Sequence, residues 1–263
     1  MTTGQYVIDR GDEGQARLRQ LQTLDGESIG YVETLGIKPG WHVLDLGAGG
    51  GSMTDWFCQR VGSTGHVVAI DRDTQNVERL PHQNLEVRCV DIVAHDLEPD
   101  AFDLIFARLV IEHIPEREEV LNKLVAALKP GGWILMMDLH VPGRFVDPVT
   151  PPILRAALEW LISVAVAASA ARGHESTAGY KGPARLKARK LTEVGSDVRQ
   201  AYYVGGSDLA LFWRRTAELG LLGLVDSGQL TRAGLDAGLA ALDDPELAVW
   251  DTPKVYTWGR KPG

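Results

Sequence analysis

The chain has 263 residues, of which 44% are hydrophobic, and carries a formal charge of −8. That is enough to bury one sizeable core with an appendage, and the acidic balance argues against a surface that tracks phosphate backbones through Lys and Arg. The two cysteines, Cys58 and Cys89, are too few for a disulfide framework and lack metal-ligand spacing, so a metal is not expected and the cytoplasm is the expected compartment.

The N-terminal MTTGQYVIDRGDEG has no apolar signal core, so export is not expected, and residues 1–30 read as a polar, helix-prone arm. Short apolar runs then alternate with helical patterns, the signature of a parallel sheet in an α/β fold. The runs predict strands at His42–Gly47, His66–Asp71, Leu85–Val90, Phe102–Ala107 and Trp133–Leu139. A helix is predicted over Glu116–Leu128, opened by Pro115 and stopped by Lys129, Pro130, Gly131 and Gly132. Residues 143–195 form a long insertion. Its apolar run from Trp160 to Ala171 is too short to span a bilayer, and Arg155 and Glu159 sit just before it, so it reads as a buried or lid helix. The basic run Lys181–Lys190 sets Ala184, Ala188 and Leu191 on one side, which makes its charges a solvated face rather than a nucleic-acid surface. Two more strands, Val198–Val204 and Lys254–Arg260, bracket helices at Asp208–Leu219 and Thr231–Leu242. Ligands of open α/β sheets bind at the carboxyl ends of the strands, so the arm and the insertion are expected to cover that edge as a lid.

The stretch Val43–Ser52, VLDLGAGGGS, carries the strongest chemical signal. A glycine turn after a strand brings backbone close to a ligand without side-chain collision, and its amides, with the following helix N-terminus, can meet polar or anionic groups. The dinucleotide pattern G-x-G-x-x-G or A is not met, because Ser52 holds the sixth position while an acidic residue, Asp45, occupies the strand end. A different ligand is expected.

The run D-L-G-A-G-G-G resembles motif I of the class I S-adenosylmethionine-dependent methyltransferases. Asp71 in VVAIDRD stands where that family carries the acidic residue for the ribose hydroxyls, with Arg72 beside it, and VRCVDI supplies Asp91 for the adenine amino group and Ile92 for the ring face. FDLIFARLVIEHIP resembles motif IV, and LKPGGWILMMD resembles the motif that leads into the fifth strand. More loosely, the whole layout, with its YTWGRKP ending, is similar to bacterial small-molecule methyltransferases of specialised metabolism. The resemblance implies a Rossmann-like, seven-stranded, mostly parallel α/β sheet with helices on both faces, a helical lid insertion and an N-terminal helical arm. It implies one methyltransferase domain over 1–263, divided into arm (1–30), cofactor-binding core (31–142), lid (143–195) and completion of the sheet (196–263). S-adenosyl-L-methionine is the implied cofactor and S-adenosyl-L-homocysteine the product.

The expected cofactor residues are Asp45, Gly47, Ala48, Gly49, Asp71, Arg72, Asp91, Ile92, Arg108 and, in the arm, Tyr6, with Gln22 a further arm residue in reach. An ordinary turn cap for Asp45 and an ordinary salt bridge for Arg108 compete with those roles. Two histidines at strand ends, His140 and His113, are the candidate general bases, against the plainer reading of loop histidines bonded to backbone. Trp160, Tyr180 and Trp213, with Leu161 and Val164, suit an aromatic or polyketide-like substrate, against plain core packing. The expected reaction is methyl transfer by in-line displacement to a small molecule, most readily at oxygen, with nitrogen, carbon, RNA or protein acceptors and a non-catalytic cofactor binder as the alternatives. No nucleic acid or membrane partner is expected, and a homodimer stays open.

Overall fold

The structure, a computed structural model, describes residues 12–263. Along the chain, α1 (Asp12–Leu21) and α2 (Asp25–Thr34) precede β1 (His42–Leu46), α3 (Ser52–Val61), β2 (His66–Asp71) and β3 (Leu85–Cys89). Next come β4 (Phe102–Arg108), α4 (Arg117–Ala127), β5 (Leu128–Leu139), β6 (Phe145–Val146), α5 (Pro152–Ala170) and α6 (Ala178–Ala188). The chain continues through β7 (Thr192–Arg199), β8 (Tyr202–Val204), α7 (Asp208–Asp226), α8 (Arg232–Asp243), β9 (Ala248–Trp250) and β10 (Lys254–Arg260). These elements gather into two compact units. A sheet unit holds 21–139, 177–198 and 254–263, and a helical unit holds 140–176 and 199–253 together with residues 12–20.

The sheet unit contains a seven-stranded sheet in the order β3-β2-β1-β4-β5-β10-β7. Its neighbours pair in parallel from β3 through β5, and β10 runs antiparallel to β5. Strand order reverses direction between β1 and β4, the switch point at which open α/β sheets bind ligands. The central strands are apolar almost without interruption because both faces are covered. Along β1, Val43 faces the side packed by Val32 of α2 and Phe57 of α3, whereas Leu44 and Leu46 face the side packed by Leu121 and Leu124 of α4 and Leu186 of α6. The period of two seen in the sequence is therefore two cores, one on each face.

The helical unit has its own core, in which Leu158 and Leu161 of α5 meet Leu235, Leu239 and Leu242 of α8, and a separate three-stranded sheet ordered β6-β9-β8. Helix α7 is capped by Ser207, whose hydroxyl accepts from the Ala210 amide, and α8 by Thr231, which accepts from Gly234.

Several expectations change. The predicted sixth strand, Val198–Val204, is two strands: β7 closes the large sheet, while β8 pairs with β9 in the small one. The break falls at Gln200, whose side-chain amide donates to the carbonyls of Gly143 and Asp251. Residues 196–263 thus do not complete one sheet, since only β10 and part of β7 join it while 199–253 belong to the helical unit. The insertion 143–195 is likewise shared, with α5 in the helical unit and α6 in the sheet unit. Finally, the predicted arm reaches only part of the way to residue 30, because α2 is a core helix of the sheet unit with Ser28 and Val32 buried. The apolar run expected from Trp160 is the second half of α5, which at 19 residues is long and apolar enough, by length and composition, to cross a membrane; Leu158, Leu161 and Ala168 are nonetheless buried in the helical unit's core.

Helix α6 lies directly on β5 and β10 because glycines face them. A Cβ on Gly179 would stand 2.7 Å from Val255 Cγ2 and 2.8 Å from the Asp138 carbonyl oxygen, and one on Gly182 would stand 2.7 Å from Thr257 Oγ1. The predicted outcome for Gly179→Ala is therefore a loss of about 1–3 kcal/mol from overpacking, read as a lower urea midpoint with an unchanged slope.

Candidate functional site

At the carboxyl end of β1 the chain turns through Gly47 (φ 73°) and Gly49 (φ 51°) to Gly51 (φ 81°), which caps α3. Position 47 needs glycine twice over: its φ is left-handed, and a Cβ would lie 2.3 Å from Val110 Cγ2. Val110 is brought there by Leu109, itself held at φ 57°, with its amide donating to Met137 O at 2.7 Å. A bulky residue in that region is strained, and the strain sits at the strand edge where ligands bind.

Four of the turn's amides bond within the chain. Those of Gly47 and Ala48 donate to Ile70 O at 2.7 and 3.3 Å, that of Gly51 to Ala48 O at 2.9 Å, and that of Gly49 to Asp71 Oδ2 at 2.8 Å. The expectation that the turn meets polar or anionic groups through its N–H groups therefore does not hold for these four amides. What it presents is bare backbone, and what it positions is Asp71. The second oxygen of that carboxylate, Oδ1, accepts from the Asp73 amide at 3.0 Å. A carboxylate has about four lone-pair sites, so roughly one on each oxygen remains for a ligand.

Asp45 is not a surface ligand but an internal bolt. It is 2% exposed, and Oδ2 accepts from Thr54 Oγ1 of α3 at 2.6 Å. Burial, only partly offset by Thr54 and the charge of Arg108, pushes its carboxyl up to about 6. Arg108 is engaged as well, at 2.8 Å from Asp25 Oδ1 and with Nη1 donating to Ser28 Oγ at 3.3 Å, both on α2. Around them Lys254 pairs with Glu27 at 2.9 Å, and the Tyr256 hydroxyl donates to Glu27 Oε2 at 3.3 Å. The ordinary salt bridge describes Arg108 here.

After β3, Asp91 and Arg72 pair with each other at 2.5 Å, and Asp91 Oδ1 accepts from the Val93 amide. Ile92 is turned into the core instead of lying open to a ring face. Following β4, Nε2 of His113 lies 3.3 Å from Oε1 of Glu112, a buried residue whose Oε2 accepts from the Leu139 amide at 2.6 Å and whose own amide donates to Asp138 Oδ1. Glu112 was not singled out in the sequence. An acidic residue beside a histidine is an ordinary pair of neighbours until the fold buries it.

Not every expected residue falls in this unit. His140, Trp160 and Trp213 belong to the helical unit, and Tyr180, 53% exposed on α6, belongs to the sheet unit. His140 donates its amide to Pro253 O at 3.0 Å. Trp160 packs on Gly234 and Gly238 of α8, and Trp213 carries Arg144 over its ring at 3.9 Å. Tyr6 lies outside the described residues, and Gln22 stands in a single 3₁₀ turn between α1 and α2. Within the basic run, Arg185 and Arg189 both pair with Glu118 of α4.

Asp45 makes the site's stability depend on pH. Its folded-state value lies above the usual carboxylate range, so the folded chain holds a proton that the unfolded chain has released, and the stability it contributes falls by up to ~3 kcal/mol as pH rises from about 4 to about 6. Asp45→Asn should flatten that fall, as compared by urea unfolding at both ends of the window.

Residues 44–136 match a family described as the methyltransferase domain. A ubiquinone/menaquinone biosynthesis C-methyltransferase of Hydrogenovibrio crunogenus is 29% identical over 137 residues, covering 49% of this chain and 51% of that one. Methyltransferase GfsG of Streptomyces halstedii is 28% identical over 176 residues, covering 64% and 60%. The chain therefore spans between half and three fifths of these relatives. Among solved structures, the fold is shared with phosphoethanolamine N-methyltransferase 2 of Haemonchus contortus in complex with S-adenosyl-L-methionine, at a TM-score of 0.60 and 14% identity over 100% of this chain and 61% of that one. The sequence match runs from β1 into β5 and takes in the glycine turn, so this part of the chain is similar to the methyltransferase domain family.

Proposed function

We propose that the sheet unit binds S-adenosyl-L-methionine and that the protein methylates a small aromatic or polyketide-like molecule at oxygen, in the cytoplasm, leaving S-adenosyl-L-homocysteine. One observation carries this reading. The Asp71 carboxylate is locked to the glycine turn through Gly49 and to the next loop through Asp73, yet retains acceptor capacity on both oxygens, which suits the vicinal hydroxyls of a ribose. Bare backbone from Gly47 to Gly51 then permits close approach beside it. Asp91, steadied by Arg72, is the acceptor for an adenine amino group. Arg108 holds α2 and not the ligand. The free thiols Cys58 and Cys89 suit a reducing compartment.

When bound, that cofactor supplies an electrophilic methyl group on a sulfonium sulfur. His113 is the base in this reading. With Nε2 held toward the buried Glu112 carboxylate, Nδ1 takes the proton of the acceptor hydroxyl, and the neighbouring negative charge stabilises the imidazolium that results. His140, directly after β5, is the alternative base. A second reading, methylation at carbon, is favoured by the likeness to the ubiquinone/menaquinone C-methyltransferase.

Incubating the full chain with radiolabelled cofactor and a panel of phenols, activated methylene compounds, amines and RNA tests the acceptor class; label in a phenol supports the reading, and label confined to RNA, or none at all, sinks it. Replacing Asp71 with Asn should weaken cofactor binding about 10- to 100-fold in calorimetry, and an unchanged Kd would remove Asp71 from the ribose. His113→Ala should lower kcat about 10²- to 10⁴-fold while leaving cofactor Kd in place; wild-type turnover would shift the role to His140.

A further inference from the structure

The helical unit holds a polar cluster that its own packing does not satisfy. Arg144, just before β6, and Asp251, just after β9, form an ion pair at 2.9 Å with each side chain only 7% exposed. The guanidinium carbon lies 3.9 Å from the centre of the Trp213 ring on α7. Tyr203 of β8, 4% exposed, is close enough to both charges for each to act on its hydroxyl, and burial pushes that hydroxyl up to about 12. It is therefore a proton donor across the physiological range. Yet Tyr203 Oη, Trp213 Nε1 and Arg144 Nε, all buried, have no hydrogen-bond partner among the described residues.

Buried polar atoms are almost always paired, because leaving one unmade costs its full desolvation. Three such donors, one of them the guanidinium's own Nε, are not accounted for by packing. Elsewhere in the same neighbourhood the donors are satisfied: Gln200 bonds both Gly143 O and Asp251 O.

We propose that Arg144, Tyr203 and Trp213 form a binding site for the carbonyl group of an uncharged small molecule. A carbonyl oxygen brings acceptors and no hydrogen, which matches a set made of donors, whereas a hydroxyl would bring a further donor. Asp251 already neutralises the guanidinium, so a carboxylate or phosphate entering here would meet an opposing negative charge with no spare positive one. The site stands whether or not the sheet unit transfers methyl groups.

Acetophenone is the probe, with benzoate and ethylbenzene as controls, observed by relaxation-edited proton NMR against the full chain. The expected result is saturable broadening of acetophenone by the wild type, weakened about fivefold or more by Tyr203→Phe and by Trp213→Phe, with little broadening of benzoate or ethylbenzene. Tyr203→Phe should also keep or raise the urea midpoint, since it removes a hydroxyl that the folded chain leaves unsatisfied. Equal acetophenone broadening by wild type and both variants would overturn the assignment, as would benzoate broadening that matches acetophenone. A Tyr203→Phe protein with a lowered midpoint and unaltered probe binding would show that the hydroxyl serves folding, and would overturn it too.

Discussion

The hydrogen bond from the Gly49 amide to Asp71 joins the turn after β1 to the end of β2, and the geometry of the candidate site follows from it. Two adjacent parallel strands fix their carboxyl ends side by side, but they do not fix the loop that leaves one or the side chain that ends the other. The charge-assisted bond does both, setting the path of the backbone and the plane of the carboxylate together. It also changes what the glycines are for. With the amides of Gly47, Ala48, Gly49 and Gly51 engaged inside the chain, the turn is a backbone surface that admits close approach and not an anion cradle. That distinction separates recognition of a sugar by a carboxylate from recognition of a phosphate by a helix N-terminus.

A second set of polar contacts ties the turn's surroundings into one frame. Asp45 fastens β1 to α3 through Thr54, and Arg108 fastens β4 to α2 through Asp25 and Ser28. Both residues look like ligand contacts in the sequence because both stand near strand ends. Their burial assigns them to holding the strands and helices that carry Asp71 in place. Glu112 is the converse case: inconspicuous as a residue type, it is buried with both carboxylate oxygens engaged, one toward the Leu139 amide and one toward His113. A carboxylate so placed sets a negative charge 3.3 Å from one nitrogen of the imidazole ring.

The helical unit carries its own core and its own small sheet. Its polar centre differs in kind from the sheet unit's. There Asp45 bonds Thr54 and Glu112 bonds the Leu139 amide, whereas around Arg144 the unmatched atoms are donors. Unsatisfied donors lower stability, and retaining them is the usual mark of a surface shaped for something other than folding.

From the sequence alone came the parallel sheet, the helix over the second half of its core, the glycine turn and the acidic residue one crossover later. All of these are local. Apolar runs covered on both faces, the Pro115 start of α4 and the glycine turn at Gly47 are written in neighbouring residues, which is why strand positions from His42 to Asp71 and helix limits near 117–127 were legible, although the cluster Lys129–Gly132 read as a helix stop is the start of β5. Only the tertiary structure decided what each polar group bonds to. Gly49 and Asp71 are 22 positions apart, and Arg108 and Ser28 are 80 apart, so no periodicity links them. The same holds for the division of 143–253, where a strand that looked continuous through Gln200 parts because distant carbonyls of Gly143 and Asp251 take up its side chain. Pattern specifies which faces are buried; the pairing of buried polar atoms depends on which distant segments those faces bring together.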